Sequence, residues 1–298
     1  MSQNKIDYWW RKTKEISAWL FAAATTFLSF MSLGDIGITT VCSKLVALFS
    51  IIVISGVVSL VYIGCKNSYL VWSKGIGRLT VMYGDLMKLG FEKPFWSFSK
   101  RKKCMVVIPV NTYFDTIVDE NPVEVVHPIV SPNSLHGMWV KRLLGKNNET
   151  GASGLERAIF SYLDRQGTEY DCIERKRGSR RNYPIGTCAL IGGANDVDFI
   201  LLALTRFDEN NKAFCNKEWL IEATEKLLKF IDSHCQGYNC YVPLMGTNLA
   251  RTGLSHKEVL QTIVSVMELY NENIHYSMNV VIYEGDKSKV SIFDSKNV

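Results

Sequence analysis

Residues 45–65 form a run of 21 residues without a charged side chain. At 1.5 Å per residue, a helix of this length crosses the roughly 30 Å of hydrocarbon in a lipid bilayer. A second uncharged run of 19 residues, 16–34, precedes it and contains more Ser and Thr. A cleaved signal peptide is the alternative for this earlier run, but no A-x-A cleavage pattern follows it. The two runs predict an N-terminal transmembrane hairpin with spans of about residues 16–34 and 45–65.

The basic side chains around these runs predict the orientation of the hairpin. Four precede the first run and three lie within residues 66–78, whereas the connecting loop holds only Asp35 and Lys44. Flanks rich in Lys and Arg stay on the cytoplasmic side. We therefore expect two spans in the inner membrane of the cell, with both chain ends in the cytoplasm.

Charge and cysteine usage narrow the class of protein. Residues 1–103 carry 14 basic and 5 acidic side chains, and the remainder carries 20 and 24. The positive excess surrounds an apolar region, which favours contact with membrane lipid and argues against binding of nucleic acid. The eight cysteines include no C-x-x-C pair, so we predict reduced thiols and no metal site.

Short β-rich runs alternate with helical stretches from residue 79 onwards, which predicts an α/β domain. Residues 1–78 are assigned to the hairpin and a linker, and residues 79–298 to a cytosolic domain. The predicted strands are 79–83, 104–110, 185–191, 199–207, 238–245, 278–284 and, more weakly, 290–293. The predicted helices are 134–144, 154–165, 217–234 and 257–270, the last with a capping box at its start.

The most informative motif is VPLMGTNLARTGLSHKEV, in which an apolar strand runs into a glycine-containing loop and then a helix. Backbone N–H groups in such a loop, close to a helix N-terminus, can bind an anion. Gly246 and Gly253 permit close approach of the backbone, Thr247 and Asn248 can donate hydrogen bonds, and Arg251 can grip a phosphate. The alternative is that the loop is purely structural, which is about as common for a strand-to-helix turn of this kind as binding of an anion.

Polar residues also lie at the ends of other predicted strands, where the ligands of α/β folds bind. The alternatives are structural: Asp85 can cap a helix, Asn111 and Asp115 can form a turn, and His136 can face solvent. In the charged run 175–181 a solvated hairpin turn is preferred over a phosphate site. The further candidates, in the loop before the helix at 134–144, are Ser131, Asn133, Ser134, His136 and Gly137.

Four segments, which contain Asp85, Asn111, residues 131–137 and residues 246–253, resemble in this order the macro domain, an α/β fold that binds ADP-ribose. With a hairpin in front of them, they are similar to the membrane-anchored macro effectors of the Thoeris anti-phage defence systems. The resemblance implies a mixed sheet flanked by helices. It also implies that Asp85 binds the adenine amino group, that Asn111 lies near the distal ribose, and that loops 131–137 and 246–253 cradle the diphosphate.

The resemblance further implies a role in immunity. A partner TIR-domain enzyme would consume NAD and make an ADP-ribose derivative, either cyclic or linked to histidine. The effector would bind this signal, form a homo-oligomer and disrupt the membrane, which leads to cell death or growth arrest. The Gly-Gly-Gly run of ordinary macro domains is replaced here by Asn-Ser-Leu-His-Gly, and residues 115–130 form an insertion. We therefore predict a sensor without catalytic residues or cofactor; the alternative is a membrane-tethered ADP-ribosyl hydrolase or ADP-ribose-processing enzyme.

Overall fold

A computed structural model of the chain describes ten ranges and divides the chain into two compact units, residues 1–67 and 68–297. Each unit is described by itself below. The described ranges are 3–28, 39–92, 103–119, 129–145, 148–194, 196–207, 212–234, 237–247, 251–270 and 275–295.

The first unit consists of two packed helices, α1 (Gln3–Leu28) and α2 (Val41–Cys65). Small side chains of α2 form the contact, since Ser55 and Ser59 are fully buried. Trp9 lies against this strip, and its indole Nε1 donates to the Gly56 carbonyl at 3.1 Å. Close approach at small residues is typical of helix pairs in membranes.

Among the described residues, α2 is the one helix long and apolar enough to cross a membrane. It coincides with the predicted second span. The predicted first span overlaps α1 over residues 16–28, and its remainder, residues 29–34, lies outside the described residues. The structure therefore supplies one candidate span, and the second span of the hairpin stays a prediction.

The second unit contains a mixed β-sheet. Its described strands are β1 (Ser68–Lys74), β2 (Gly77–Gly84), β3 (Cys104–Asn111), β4 (Asp171–Cys172), β5 (Arg181–Asn182), β6 (Cys188–Gly192), β7 (Val197–Phe207), β8 (Ala213–Phe214), β9 (Asn239–Pro243) and β10 (Ser277–Tyr283). The main sheet has the order β1-β2-β10-β9-β3-β7-β6, with β8 added to β7, and β4 and β5 form a separate hairpin. From β2 to β7 all pairs in this order are parallel, whereas β1 and β6 run antiparallel at the edges.

Helices cover the sheet. They are α3 (Leu86–Phe91), α4 (Leu135–Leu144), α5 (Asn148–Arg165), α6 (Lys217–His234) and α7 (His256–Leu269). Successive residues of β3, from Val106 to Ile108, are 0 % exposed because both faces of this central strand are covered. The predicted capping box is confirmed, since Ser255 and Glu258 bond reciprocally at the start of α7.

Three predicted elements differ from the structure. Residues 68–74, assigned to a linker, form the edge strand β1 and return through a turn at Gly75, whose φ is +58°. Residues 290–293 do not form a strand, because the Asp294 carboxylate accepts the Ser291 N–H and turns the chain into a short 3-10 helix. The strand predicted at 185–191 begins only at Cys188, after a turn at Gly186 with a φ of +81°.

Candidate ligand-binding cavity

A cavity of about 1150 Å³ lies at the carboxyl ends of the five parallel strands. The last residue of each of these strands lines the cavity, so the parallel arrangement of the strands brings the lining residues together. Ligands of open α/β sheets bind at this edge. The five residues, from β2, β10, β9, β3 and β7, are Gly84, Tyr283, Pro243, Asn111 and Phe207.

Asp85 lies at one end of this row, directly after β2, and serves as the N-cap of α3. Its Oδ1 atom accepts the N–H groups of Met87 at 2.8 Å and of Lys88 at 3.3 Å. Its Oδ2 atom makes no hydrogen bond to the described part of the chain. The capping alternative thus holds, and one carboxylate oxygen is still available to a ligand in the cavity that Asp85 lines.

Asn111 ends β3 and lines the cavity, but it also holds a turn. Its Oδ1 atom accepts the N–H of Tyr113 at 3.0 Å and the N–H of Asp115 at 3.3 Å. This side-chain-to-backbone bonding is the turn that Asn propensity predicts.

Asp115 lies beside the cavity but does not line it. Its side chain is 0 % exposed, and its Oδ2 atom lies 3.1 Å from Nη1 of Arg175. Its Oδ1 atom accepts the Ser179 N–H at 2.7 Å. Burial raises the pKa of the Asp115 carboxyl above its ordinary value, and the Arg175 guanidinium opposes that rise. The structure therefore places this candidate residue in an internal ion pair.

The loop before α4 brings four of its five candidate residues to the cavity: Ser131, Asn133, Ser134 and His136. Ser134 is the N-cap of α4; its Oγ accepts the Gly137 N–H at 2.9 Å and donates to the Ser131 carbonyl at 2.7 Å. Gly137 does not line the cavity. A Cβ atom at Gly137 would lie 2.1 Å from the Ser131 oxygen, so glycine is what lets the loop close onto the helix.

The His136 imidazole is buried at the cavity wall, with 7 % of the residue exposed. Burial lowers the pKa of His136 to about 4, although the backbone carbonyl of Asp115 partly offsets this effect. At neutral pH the ring is therefore uncharged, and a neutral imidazole offers one donor and one acceptor.

The loop after β9 also contributes to the cavity. Gly246, Thr247 and Arg251 line the cavity, whereas Gly253 does not, and Asn248 lies outside the described residues. Gly246 has a φ of +97°, a value that favours glycine, and its carbonyl accepts the Thr252 hydroxyl at 2.6 Å.

The sequence analysis missed several cavity residues. Tyr283 ends β10 next to Gly84 in register and lines the cavity, although the residue is 61 % exposed. Phe207 and Ala213 line the far end of the row, where β7 pairs with β8. The available signal was that Phe207 is the last residue of the predicted strand 199–207 and that Tyr283 is the penultimate residue of the predicted strand 278–284. In the part of the chain that the structure describes, no group of three or more His, Cys, Asp or Glu residues lies close enough to hold a metal ion.

A family model described as "Thoeris protein ThsA, Macro domain" matches residues 79–283. The chain belongs to this ThsA macro-domain family. The matched range begins in β2 and ends with β10, so it contains the end of every strand that lines the cavity. The resemblance to the macro domain of Thoeris proteins is thereby confirmed.

The individual proteins that this chain is similar to are distant from it in sequence. The chain is similar to Thoeris protein ThsA of Bacillus amyloliquefaciens (strain Y2), with 21 % identity over 279 residues that cover 92 % of this chain and 84 % of the relative. A variant of the Oceanobacillus iheyensis macrodomain aligns with a TM-score of 0.48 and 12 % identity, over 78 % of this chain and 96 % of that chain. The macrodomain protein from Streptomyces coelicolor aligns with a TM-score of 0.36 and 10 % identity, over 68 % and 96 % of the two chains.

Proposed function

We propose that this chain is a membrane-anchored effector of Thoeris-type anti-phage defence, whose macro domain binds an ADP-ribose-derived signal. The observation that carries the proposal is the cavity at the carboxyl ends of the five parallel strands, inside the range that the family model matches. In this account a TIR-domain partner makes the signal from NAD, and the signal is a histidine-linked or cyclic ADP-ribose.

The cavity has suitable groups for each part of such a ligand. The free Oδ2 atom of Asp85 can accept the adenine amino group, and the exposed ring of Tyr283 can stack on the base. The loop before α4 and the loop after β9 supply backbone N–H groups, a helix N-terminus and Arg251 for the diphosphate. Asn111 then lies towards the distal ribose.

The size of the cavity supports a ligand larger than a simple nucleotide. Its volume of about 1150 Å³ exceeds the roughly 300–1000 Å³ of most small-molecule sites. The additional space can take a group attached to the distal ribose, and the paired residues Phe207 and Ala213 bound that end of the row.

The first unit provides the proposed membrane anchor. In this account α2 crosses the inner membrane, the predicted first span pairs with it, and both chain ends face the cytoplasm. One hairpin of two helices cannot line a pore alone, because a closed set of helices is needed to enclose water. Ligand binding is therefore proposed to drive association of several copies, which breaches the membrane and ends in cell death or growth arrest.

The test is a reconstitution of the full chain in dye-filled liposomes that contain anionic lipid. ADP-ribose, its cyclic form and its histidine-linked form are added separately, and dye release and ligand breakdown are followed. We expect one derivative to release dye without being consumed. Breakdown of an ADP-ribose conjugate without dye release would favour the membrane-tethered hydrolase, and no response to any probe by inserted protein would contradict the effector.

A further inference from the structure

The charged run 175–181 forms the predicted hairpin turn, and most of its charged side chains are exposed, but Arg175 points inwards. We call residues 171–182, which comprise β4, β5 and the turn between them, the arginine hairpin. Arg175 of this hairpin is only 10 % exposed, and its Nη1 atom donates to both Asp115 carboxylate oxygens and to the Ser179 carbonyl. Its guanidinium carbon lies 3.9 Å from the centre of the Tyr113 ring.

The partners of Arg175 are connected directly to the cavity wall. The Asp115 N–H donates to Asn111, and the Asp115 carbonyl faces the His136 imidazole; both Asn111 and His136 line the cavity. The Arg175 guanidinium also lies 5.3 Å from the centre of the Phe207 ring, which lines the cavity as well. One arginine thus contacts the segments that place three cavity residues.

Arg177 makes a second, parallel connection. Its Nη2 atom lies 2.6 Å from Oδ1 of Asp119, and the Oδ2 atom of the same carboxylate accepts the Ile129 N–H at 2.8 Å. Asp119 also donates its own N–H to the Val130 carbonyl at 3.2 Å. Ile129 and Val130 line the cavity immediately before the loop that leads into α4.

The turn of the arginine hairpin is shaped for this contact. Gly178 has a φ of +82°, and a Cβ atom there would lie 2.4 Å from the Asp115 Oδ1 atom. Any side chain at this position would push the hairpin away from the buried carboxylate.

We infer that the arginine hairpin positions one wall of the ligand cavity, with Arg175 and Arg177 as positioning residues that do not touch the ligand. The inference rests on the proposed function, in that the ligand is taken to bind in this cavity. Removal of Arg175 leaves the Asp115 carboxylate buried without its partner, a strongly unfavourable arrangement. The segments 111–119 and 129–137 would then occupy the binding-competent arrangement for only a fraction of the time, and the apparent affinity falls by that fraction.

The test compares three variants of the full chain in detergent micelles: Arg175→Ala, Arg177→Ala and the control Arg180→Ala. Arg180 belongs to the same hairpin, but its side chain is 59 % exposed and, within the described ranges, pairs with the exposed Glu174 alone. By calorimetric titration with ADP-ribose, we expect affinity to fall by about tenfold or more for Arg175→Ala, which corresponds to a competent fraction of about one tenth. We expect a smaller loss for Arg177→Ala and no change for Arg180→Ala. Unchanged affinity in folded Arg175→Ala would overturn the inference.

Amide hydrogen exchange separates positioning from a general loss of stability. Positioning predicts faster exchange in 111–119 and 129–137 for the first two variants, with other segments of the domain unchanged. Arg175→Lys keeps the positive charge without the planar fork, so we expect it to restore part of the affinity and protection. Uniformly faster exchange over the whole domain would overturn the inference.

The two proposals fail in different ways. If the unaltered chain binds no ADP-ribose probe, the proposed function fails, and the exchange experiment still decides whether the arginine hairpin holds the cavity wall. If exchange in both segments is the same in Arg175→Ala and Arg180→Ala, the hairpin has no positioning role, whatever the chain binds.

Discussion

At the scale of single residues, Asp85 caps α3 and is also the residue proposed to bind the adenine of the ligand. Its Oδ1 atom caps α3, and its Oδ2 atom makes no hydrogen bond to the described part of the chain. We predict that Asp85→Asn keeps the cap, because Asn and Asp are similar N-cap residues. The single amide oxygen would stay with the cap, so the amide NH₂ would face the adenine NH₂ and two donors would oppose each other.

The expected result for Asp85→Asn is a free energy of unfolding within about 0.5 kcal/mol of the unaltered chain and at least about tenfold weaker binding of ADP-ribose, equivalent to about 1.4 kcal/mol. Denaturant unfolding and calorimetry measure the two quantities. Equal affinity for ADP-ribose in both proteins would show that the carboxylate does not contact the ligand.

His136 gives a prediction for pH. Its folded-state pKa of about 4 lies below the ordinary value of 6.5, so the unfolded chain binds more protons between these two values. The contribution of neutral His136 to the free energy of unfolding is therefore fully present above pH 6.5 and is lost as the pH falls towards 4. The full difference is about 3 kcal/mol. We expect His136→Gln to flatten the dependence of unfolding free energy on pH in this window. The same slope in both proteins would contradict the assignment.

Asp115 shows where residue-level reasoning reaches its limit. Its position after β3 suggested a ligand contact, and local propensity correctly offered a turn as the alternative for Asn111. The partner that determines its placement, Arg175, lies 60 residues away along the chain. Neither propensity nor spacing reports such a long-range ion pair, whereas the cap at Ser134 is a local signal in the sequence.

At the scale of elements, the start of α4 depends on close approach of the backbone at Gly137. We predict that Gly137→Ala destabilises the domain by about 1–3 kcal/mol, since the new Cβ would overlap the Ser131 carbonyl oxygen. The displaced loop should also weaken binding of ADP-ribose. The matched control is Gly154→Ala in α5, where no atom lies within 4 Å of the new Cβ; there we expect a slight stabilisation. Equal effects of the two substitutions would contradict this account of the loop.

Elements with strong local patterns were predictable. The apolar strands β3 and β7 and the amphipathic helices α6 and α7 agree with the sequence because burial on both faces, or on one stripe, leaves a clear periodicity. The strand at residues 68–74 was not predicted, because the burial of this edge strand is irregular and a bulge lies between Leu70 and Trp72. Residues 290–293 have β-rich composition, but a local Asp294 bond overrides it.

At the scale of the whole molecule, the account separates a membrane anchor from a ligand-binding domain. We predict that Val53→Arg, near the middle of α2, reduces the fraction of chain that resists extraction from membranes, because a charge at the centre of a span costs about 2.5–3.5 kcal/mol. Affinity of the extracted protein for ADP-ribose should not change. Val53→Leu is the control, and equal membrane retention of the two variants would argue that α2 does not span.

The central claim is that the cavity at the strand ends binds an ADP-ribose derivative and does not consume it. The most direct measurement is a calorimetric titration of the unaltered full chain with ADP-ribose, its cyclic form and its histidine-linked form, followed by chromatography of the recovered ligand. The account predicts saturable binding of at least one derivative, with one site per chain and the ligand recovered intact. Absence of binding for all three, by protein that is folded, would contradict it.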